Sequence, residues 1–194
     1  MSFFFAEYHG SLTAVMFGTF ANAGQVCMST ERVLVPRSRY NELCTALSST
    51  WRAIEAKDSR ALFTTNAAKR FNSLVVDAKE RGAADLLSAT GEESQPKTQG
   101  SFVNQTILGP ANPQMALWRE ESFGPVSIVI CVDDDGRSEE DVLEEMITIA
   151  NDSDYGLTAA VWGADVSRAQ RVGRRLETGA VHINSPVRLV KETD

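Results

Sequence analysis

Cys27 is the residue of this chain whose surroundings most favour covalent chemistry. An apolar run over residues 14–21 precedes it and predicts a buried helix, which Gly24 can end because glycine adopts positive φ at little cost. The apolar run over 32–36, closed by a proline, predicts a short buried strand. Cys27 is therefore expected at a chain turn between two packed elements, close to backbone N–H groups that the turn leaves free.

Such a turn gives a cysteine two chemical advantages. Unpaired N–H dipoles favour the thiolate, which is the nucleophilic form of the side chain. The same N–H groups could stabilise an oxyanion on a carbon that the sulfur attacks. The competing interpretation is that Cys27 is a small buried hydrophobic residue, as free cysteines usually are. These residues alone leave both interpretations open.

Four segments, spanning residues 14–186 in order, resemble the NAD(P)-dependent aldehyde dehydrogenase superfamily. They are Asn22-x-Gly24-Gln25-x-Cys27 followed by Glu31-Arg32-Val33-Leu34-Val35-Pro36; Glu120-Glu121-Ser122-Phe123-Gly124-Pro125-Val126; Ala150-Asn151-Asp152 with Tyr155-Gly156-Leu157; and Gly179-Ala180-Val181-His182-Ile183-Asn184. The resemblance covers the portion of that family that carries the catalytic cysteine.

The resemblance implies a site as well as a family. Cys27 matches the nucleophile, which adds to an aldehyde to give a thiohemiacetal and then a thioester, with its own N–H as one oxyanion donor. Glu121 matches the glutamate that holds the nicotinamide-ribose hydroxyls, and Phe123 matches the aromatic residue beside the nicotinamide. The implied cofactor is NAD or NADP, and the implied substrate is a small-molecule aldehyde. Asn184 is expected near the catalytic centre, with no chemical role assigned.

The chain also departs from the family pattern. In the family, the dinucleotide-binding domain, a second oxyanion donor and a general-base glutamate precede the nucleophile, whereas only 26 residues precede Cys27 here. No Glu-Leu-Gly-Gly-like motif occurs among them, so no general base is assigned. The family's Pro-Phe-Gly-Gly segment and terminal oligomerisation strand do not follow Pro186. We therefore expect residues 1–194 to form one partial catalytic domain with negligible turnover by itself.

Two other functions remain open from the sequence. A non-catalytic remnant, or an interaction partner of full-length aldehyde dehydrogenases, would expose apolar surface where missing parts should pack. A cysteine hydrolase would pair Cys27 with His9 or His182, although neither histidine lies in a recognisable hydrolase motif.

Composition narrows the class of partner. The 194 residues are 43% hydrophobic and 23% charged, with a net charge of −7, which suits one globular domain. The absence of a Lys/Arg-rich run argues against nucleic-acid and anionic-membrane surfaces and leaves a homo- or hetero-oligomer open. Three cysteines without a CxxC and two histidines match no familiar zinc pattern, so no metal is expected. Reduced thiols and the lack of a signal-peptide pattern predict a cytoplasmic protein.

Strand and helix patterns alternate along the chain. This predicts an α/β domain with a largely parallel sheet, and the resemblance implies a three-layer arrangement with flanking helices. Strands are predicted at 83–89, 102–108, 125–132, 158–162 and 180–183; helices at 38–54, 66–82, 138–150 and 165–179; and loops at 57–65 and 90–100. The acidic run over 133–141 is a candidate metal site, but a helix N-terminus, where carboxylates are favourable, is the preferred interpretation.

Overall fold

The computed structural model describes residues 2–4, 9–53, 61–88 and 100–186, with residues 2–4 and His9 described by their backbone only. The predicted loop at 90–100 therefore lies almost wholly outside the described residues, as do residues 57–60 of the predicted loop at 57–65 and the segment after Pro186.

The described chain contains seven strands and five α-helices. They are β1 Ser2–Phe4, α1 His9–Phe20, β2 Arg32–Pro36, α2 Arg37–Ala53, α3 Thr65–Glu80, β3 Ala84–Asp85, β4 Thr106–Gly109, β5 Val126–Val132, α4 Glu139–Asn151, β6 Thr158–Val161, α5 Val166–Gly173 and β7 Ala180–Ile183. The strands form one sheet in the order β3-β4-β5-β2-β1-β6-β7. All neighbours are parallel except β3 and β4. The predicted α/β class with a largely parallel sheet is confirmed.

Helices cover both faces of this sheet, so the domain has three layers. Successive residues of β2 point to opposite faces, as the period of two in a strand requires. Val33 and Val35 pack with α1 and α2, in a core that includes Leu43 and Leu47. Leu34 packs with α3, α4 and α5 on the other face. Because both faces are covered, β2 and β5 are apolar nearly throughout, as expected of inner parallel strands.

Side-chain caps fix where three of the helices begin. Thr64, Ser138 and Asp165 each accept a hydrogen bond from a backbone N–H in the first turn of α3, α4 and α5, respectively. The caps predicted at Ser138 and Asp165 are confirmed. The acidic run thus leads into the N-terminus of α4, and the described residues contain no His/Cys/Asp/Glu group able to hold a metal ion.

Other predicted boundaries were wrong. Helix α2 begins at Arg37 rather than at a Ser38 cap, because Asp134 accepts hydrogen bonds from both the backbone N–H and the hydroxyl of Ser38. Helix α3 begins before Asn66, since Thr64 provides its cap. Helix α5 ends at Gly173, well before Gly179.

Strand β1, of three residues, was not predicted from the sequence. The structure places β1 between β2 and β6, in the interior of the sheet. None of the described helices combines the length and the apolar character needed to cross a bilayer.

Candidate active site

Cys27 lies on a tight turn between α1 and β2. A 3₁₀ segment, Ala21–Gly24, follows α1, and three successive residues in it have positive φ: Asn22 at 51°, Ala23 at 58° and Gly24 at 69°. The N–H of Ser29 then donates to the carbonyl of Val26 at 2.9 Å, which closes a turn with Cys27 and Met28 at its two central positions. Left-handed backbone at non-glycine residues is uncommon and clusters at functional sites.

The side chain of Cys27 is exposed, which contradicts the interpretation of this residue as a buried hydrophobe. Within the described part of the chain, the backbone N–H groups of Cys27 and Met28 donate to no acceptor. The free amides expected at this turn are therefore present beside an accessible sulfur. Cys44 and Cys131, by contrast, are half-buried, and burial raises the pKa of both thiols, that of Cys131 to about 11.

The turn before β5, which carries Glu121 and Phe123, packs directly against the turn that carries Cys27. A Cβ placed on Gly24 would lie 2.0 Å from the carbonyl oxygen of Gly124 and 2.8 Å from the nitrogen of Pro125. The backbones of these two segments are thus in van der Waals contact. Two motifs separated by about a hundred residues in sequence meet at one edge of the sheet, at the amino ends of β2 and β5.

Phe123 and Glu121 both remain available at this junction. Phe123 has φ of 47° and is 36% exposed, although it lies between the buried residues Ser122 and Gly124. The carboxylate of Glu121 has no hydrogen-bond or ion-pair partner among the described residues. Its backbone carbonyl accepts a hydrogen bond from Arg70 of α3 at 2.9 Å. The turn therefore presents an aromatic ring and a free acceptor on a backbone that α3 helps to hold.

Gln25 is a site residue to which sequence reasoning assigned no role. Its Oε1 accepts from the N–H of Phe63 at 2.8 Å, and its Nε2 donates to the carbonyl of Ala61 at 3.4 Å. This side chain fastens the segment before α3 to the cysteine turn. The sequence marked Gln25 only as a polar residue two positions before the proposed nucleophile. It could not identify the partners of this side chain, which lie 36 and 38 residues away.

Glu31 and Ser122 form a second unpredicted connection. The Oε1 of Glu31 accepts from the Ser122 hydroxyl at 2.9 Å, and its Oε2 lies 3.4 Å from the Ser122 N–H. Glu31 is partly buried, and this burial raises its pKa to about 7 although the bonds from Ser122 act in the opposite direction. The two turns are therefore joined by a carboxylate as well as by the Gly24–Gly124 contact.

The raised pKa predicts that replacing Glu31 by glutamine stabilises the fold in alkaline but not in acidic solution. The folded-state pKa of about 7 exceeds the ordinary value of 4.5, so the folded state binds the proton more tightly than the unfolded state. The wild-type chain therefore loses stability as the pH rises from 4.5 to 7, by up to about 3 kcal/mol. Urea unfolding of both proteins at about pH 5 and about pH 8.5 measures the difference. A gap that does not widen with pH contradicts the prediction.

The remaining predicted residues lie elsewhere. Asn184 follows the carboxyl end of β7, and its amide exchanges two 2.8 Å hydrogen bonds with the backbone of Gly163 after β6. His182 aligns across the sheet with Val33, three strands away, or about 14 Å. His9 begins α1, about 18 Å along the helix axis from the end that leads to Cys27. These placements disfavour a Cys–His hydrolase pair.

A cavity of about 500 Å³ opens at the opposite edge of the sheet. Pro36, Asp134, Gly163 and Asp165 are among the residues that line it, and they lie at or just after the carboxyl ends of β2, β5 and β6. Cys27 and Phe123 precede the amino ends of β2 and β5. The cavity is therefore separate from the junction of the two turns.

The fold and this junction define a class of protein: a three-layer α/β domain with a cysteine turn and a Glu-x-Phe-Gly turn packed together at one sheet edge. A model of the aldehyde dehydrogenase family matches residues 5–193. The chain belongs to the aldehyde dehydrogenase family.

Curated relatives and solved structures agree with this assignment. The chain is 35% identical over 187 residues to vanillin dehydrogenase from Pseudomonas sp. strain HR199, covering 93% of this chain and 36% of that enzyme. It is 35% identical to the NADP(+) succinate-semialdehyde dehydrogenase of Deinococcus radiodurans, covering 91% and 36%. The structure of salicylaldehyde dehydrogenase from Pseudomonas putida G7, complexed with salicylaldehyde, matches with a TM-score of 0.80 at 32% identity, over 96% of this chain and 38% of that one. The chain thus spans little more than a third of the length of these relatives.

Proposed function

We propose that this chain takes part in the NAD(P)-dependent oxidation of aldehydes, with Cys27 as the nucleophile. The observation that carries the proposal is the packing of Gly24 against Gly124, which sets the exposed Cys27 on the same sheet edge as Glu121 and Phe123. Several relatives are named as dehydrogenases of aromatic aldehydes, such as vanillin and salicylaldehyde, and others as dehydrogenases of succinate semialdehyde.

The chain's own residues support the first chemical steps. The thiolate of Cys27 forms a bond to the aldehyde carbon, and the carbonyl electron pair moves to oxygen, giving a thiohemiacetal alkoxide. The free N–H groups of Cys27 and Met28 are the proposed donors to that oxygen. Loss of hydride from the carbon leaves a thioester on Cys27, and water then releases the carboxylic acid and regenerates the thiol.

The junction of the cysteine turn and the Glu121–Phe123 turn has features that fit a nicotinamide nucleoside. NAD or NADP, when bound, supplies the hydride acceptor. The free carboxylate of Glu121 is a suitable acceptor for two vicinal ribose hydroxyls, because each hydroxyl donates a hydrogen. The exposed ring of Phe123 offers an apolar surface to a planar heterocycle. The NADP-bound glyceraldehyde-3-phosphate dehydrogenase of Bacillus halodurans has the same fold, with a TM-score of 0.80 at 30% identity.

We further propose that residues 1–194 act as the nucleophile-bearing portion of a catalytic domain and give negligible turnover alone. Within the described residues, no carboxylate forms a hydrogen bond with residues 25–29, so no general base is assigned. The three cysteines are unbridged, which fits the reducing, cytoplasmic compartment expected from the sequence.

Competition between an aldehyde and iodoacetamide tests the nucleophile. We expect iodoacetamide to modify Cys27 at least about tenfold faster than Cys44 or Cys131, because Cys27 is exposed and burial keeps the other two protonated. Salicylaldehyde or a semialdehyde should slow the modification of Cys27 alone, as measured by peptide mass spectrometry. Equal rates at the three cysteines, or no protection by any aldehyde, would contradict the proposed role of Cys27.

The same preparation tests the expected lack of turnover. The purified chain with aldehyde and NAD or NADP should give no increase in absorbance from reduced cofactor above that of Cys27→Ala. Turnover that depends on Cys27 would show that the chain is a complete catalyst.

A non-catalytic partner of full-length aldehyde dehydrogenases is the second candidate. It is favoured by the exposure of Phe63 at 72% and Phe102 at 50%, which lie on neighbouring segments joined by the Ala61–Phe102 bridge. Exposed apolar surface of this kind marks interaction sites. Size-exclusion chromatography that finds a stable monomer, also in the presence of a full-length relative, would exclude this candidate.

A further inference from the structure

The carboxylate of Glu31 joins two segments that the proposed function requires to act together. Glu31 lies immediately before β2, four residues after Cys27, and Ser122 lies between Glu121 and Phe123. The 2.9 Å bond from the Ser122 hydroxyl to Glu31 is the direct side-chain link between them. Ser122 is 4% exposed, so this link is shielded from competing water.

The hydroxyl of Ser122 is also the centre of its own turn. Its oxygen accepts a hydrogen bond from the N–H of Gly124 at 3.2 Å. Its single hydrogen faces two acceptors, the Oε1 of Glu31 at 2.9 Å and the carbonyl of Gly124 at 3.3 Å. The carboxylate is the nearer and the stronger acceptor, so it takes the hydrogen.

These bonds hold the residues on both sides of Phe123, whose φ of 47° is unfavourable for an aromatic residue. The bond between the Gly124 N–H and Ser122 closes the turn around Phe123, and Glu31 anchors that turn to the cysteine side of the junction. The carbonyl of Gly124 then rests against Gly24, at the start of the cysteine turn. A shift of Ser122 would therefore be transmitted to Phe123 and to the cysteine turn.

We propose that Glu31 is a positioning residue whose bond to Ser122 fixes the cysteine turn and the Glu121–Phe123 turn in one relative orientation. This inference rests on the proposed function, because it concerns the alignment of the residues assigned there. Glu31 itself does not react; it acts through Ser122.

Two substitutions separate positioning from a simple effect of charge. Ser122→Ala removes the hydroxyl and keeps the carboxylate, whereas Glu31→Leu removes the charge and both acceptor oxygens. If Glu31 positions the turn, both variants disorder the amides near Cys27 and slow its modification by iodoacetamide by about tenfold. If Glu31 acts only through its charge, Glu31→Leu accelerates the modification and Ser122→Ala leaves it unchanged.

The double variant provides the decisive comparison. Because both residues serve one link, Glu31→Leu with Ser122→Ala should slow Cys27 no more than either single change. Glu80→Leu makes the same chemical change at an exposed carboxylate at the end of α3 and should leave the rate unaltered. Circular dichroism and the slow rates at Cys44 and Cys131 in each variant show whether the fold is intact.

The possible results are distinct. Slowing of Cys27 in both single variants, without additivity, supports the inference. Unchanged rates in folded variants, opposite changes in the two variants, or additive effects overturn it. The assay contains no aldehyde and no cofactor, so failure of the proposed oxidation would appear in the aldehyde-protection experiment and leave this comparison valid.

Discussion

Gly24→Ala is expected to destabilise the chain by about 3–5 kcal/mol, through backbone strain and overlap together. The φ of 69° at Gly24 lies in the left-handed region, where a Cβ meets the neighbouring carbonyl oxygen. The added Cβ would also lie 2.0 Å from the oxygen and 2.3 Å from the carbon of Gly124, far inside any normal contact. These are backbone atoms, so no side-chain rotation relieves the overlap.

Gly136→Ala is the matched control. Gly136 has φ of 64°, nearly the same as Gly24, but a Cβ there has no atom within 4 Å. It should cost about 1 kcal/mol, the strain contribution alone. Unfolding in urea, followed by circular dichroism, measures both variants against the wild type. Similar costs at the two glycines would contradict the close approach of the two turns, on which the whole candidate site depends.

The local sequence was sufficient to predict the elements that form this junction. The apolar runs at β2 and β5 predicted these two strands, and Gly24 marked the end of the helical segment. Alternation of helices and strands then predicted a parallel sheet, since parallel strands need crossover connections. These signals are local in the chain, so they do not depend on knowing which segments meet.

The contacts across the junction could not be predicted in the same way. In the sequence alone, Gln25 resembles any polar loop residue and Glu31 resembles a solvent-exposed charge. Their roles become visible only when the structure shows their contacts with Phe63 and Ser122. The partners are 38 and 91 residues away, and no spacing rule connects positions so far apart. Strand β1 was missed for a related reason: three residues give too short a pattern to reveal a strand that its neighbours bury.

Arg32 shows how strongly such a distant contact can matter. It is the first residue of β2 and only 4% exposed. Its guanidinium donates to the carbonyl of Ile149, lies 3.4 Å from the carbonyl of Asp152, and stacks 5.7 Å from the ring centre of Trp118. Burial lowers its pKa to about 10, with Asp152 acting in the opposite direction, so it stays charged at neutral pH. A cation at the C-terminal end of α4 also complements the helix dipole.

Arg32→Ala should therefore cost about 3–5 kcal/mol, because it leaves a buried carbonyl unsatisfied and removes a large buried side chain. The change leaves the carbonyl of Ile149 without this donor, whereas the carbonyl of Asp152 keeps a hydrogen bond from Arg119 at 3.3 Å. It also opens a void beside Trp118. Arg32→Lys should recover only part of this, because an ammonium group lacks the planar fork that reaches two carbonyls and stacks on the ring.

Arg52→Ala is the control for loss of an arginine as such. Arg52 is exposed near the end of α2, and its Nε donates to the carbonyl of Ser48 within its own helix. Its loss should change the free energy of unfolding by less than about 0.5 kcal/mol. If Arg32→Ala proves equally mild, α4 does not depend on the guanidinium. If it is as costly as expected, the C-terminal end of α4 holds the start of β2 in place. It thereby also supports the turn that presents Cys27, although α4 contributes no residue to the chemistry.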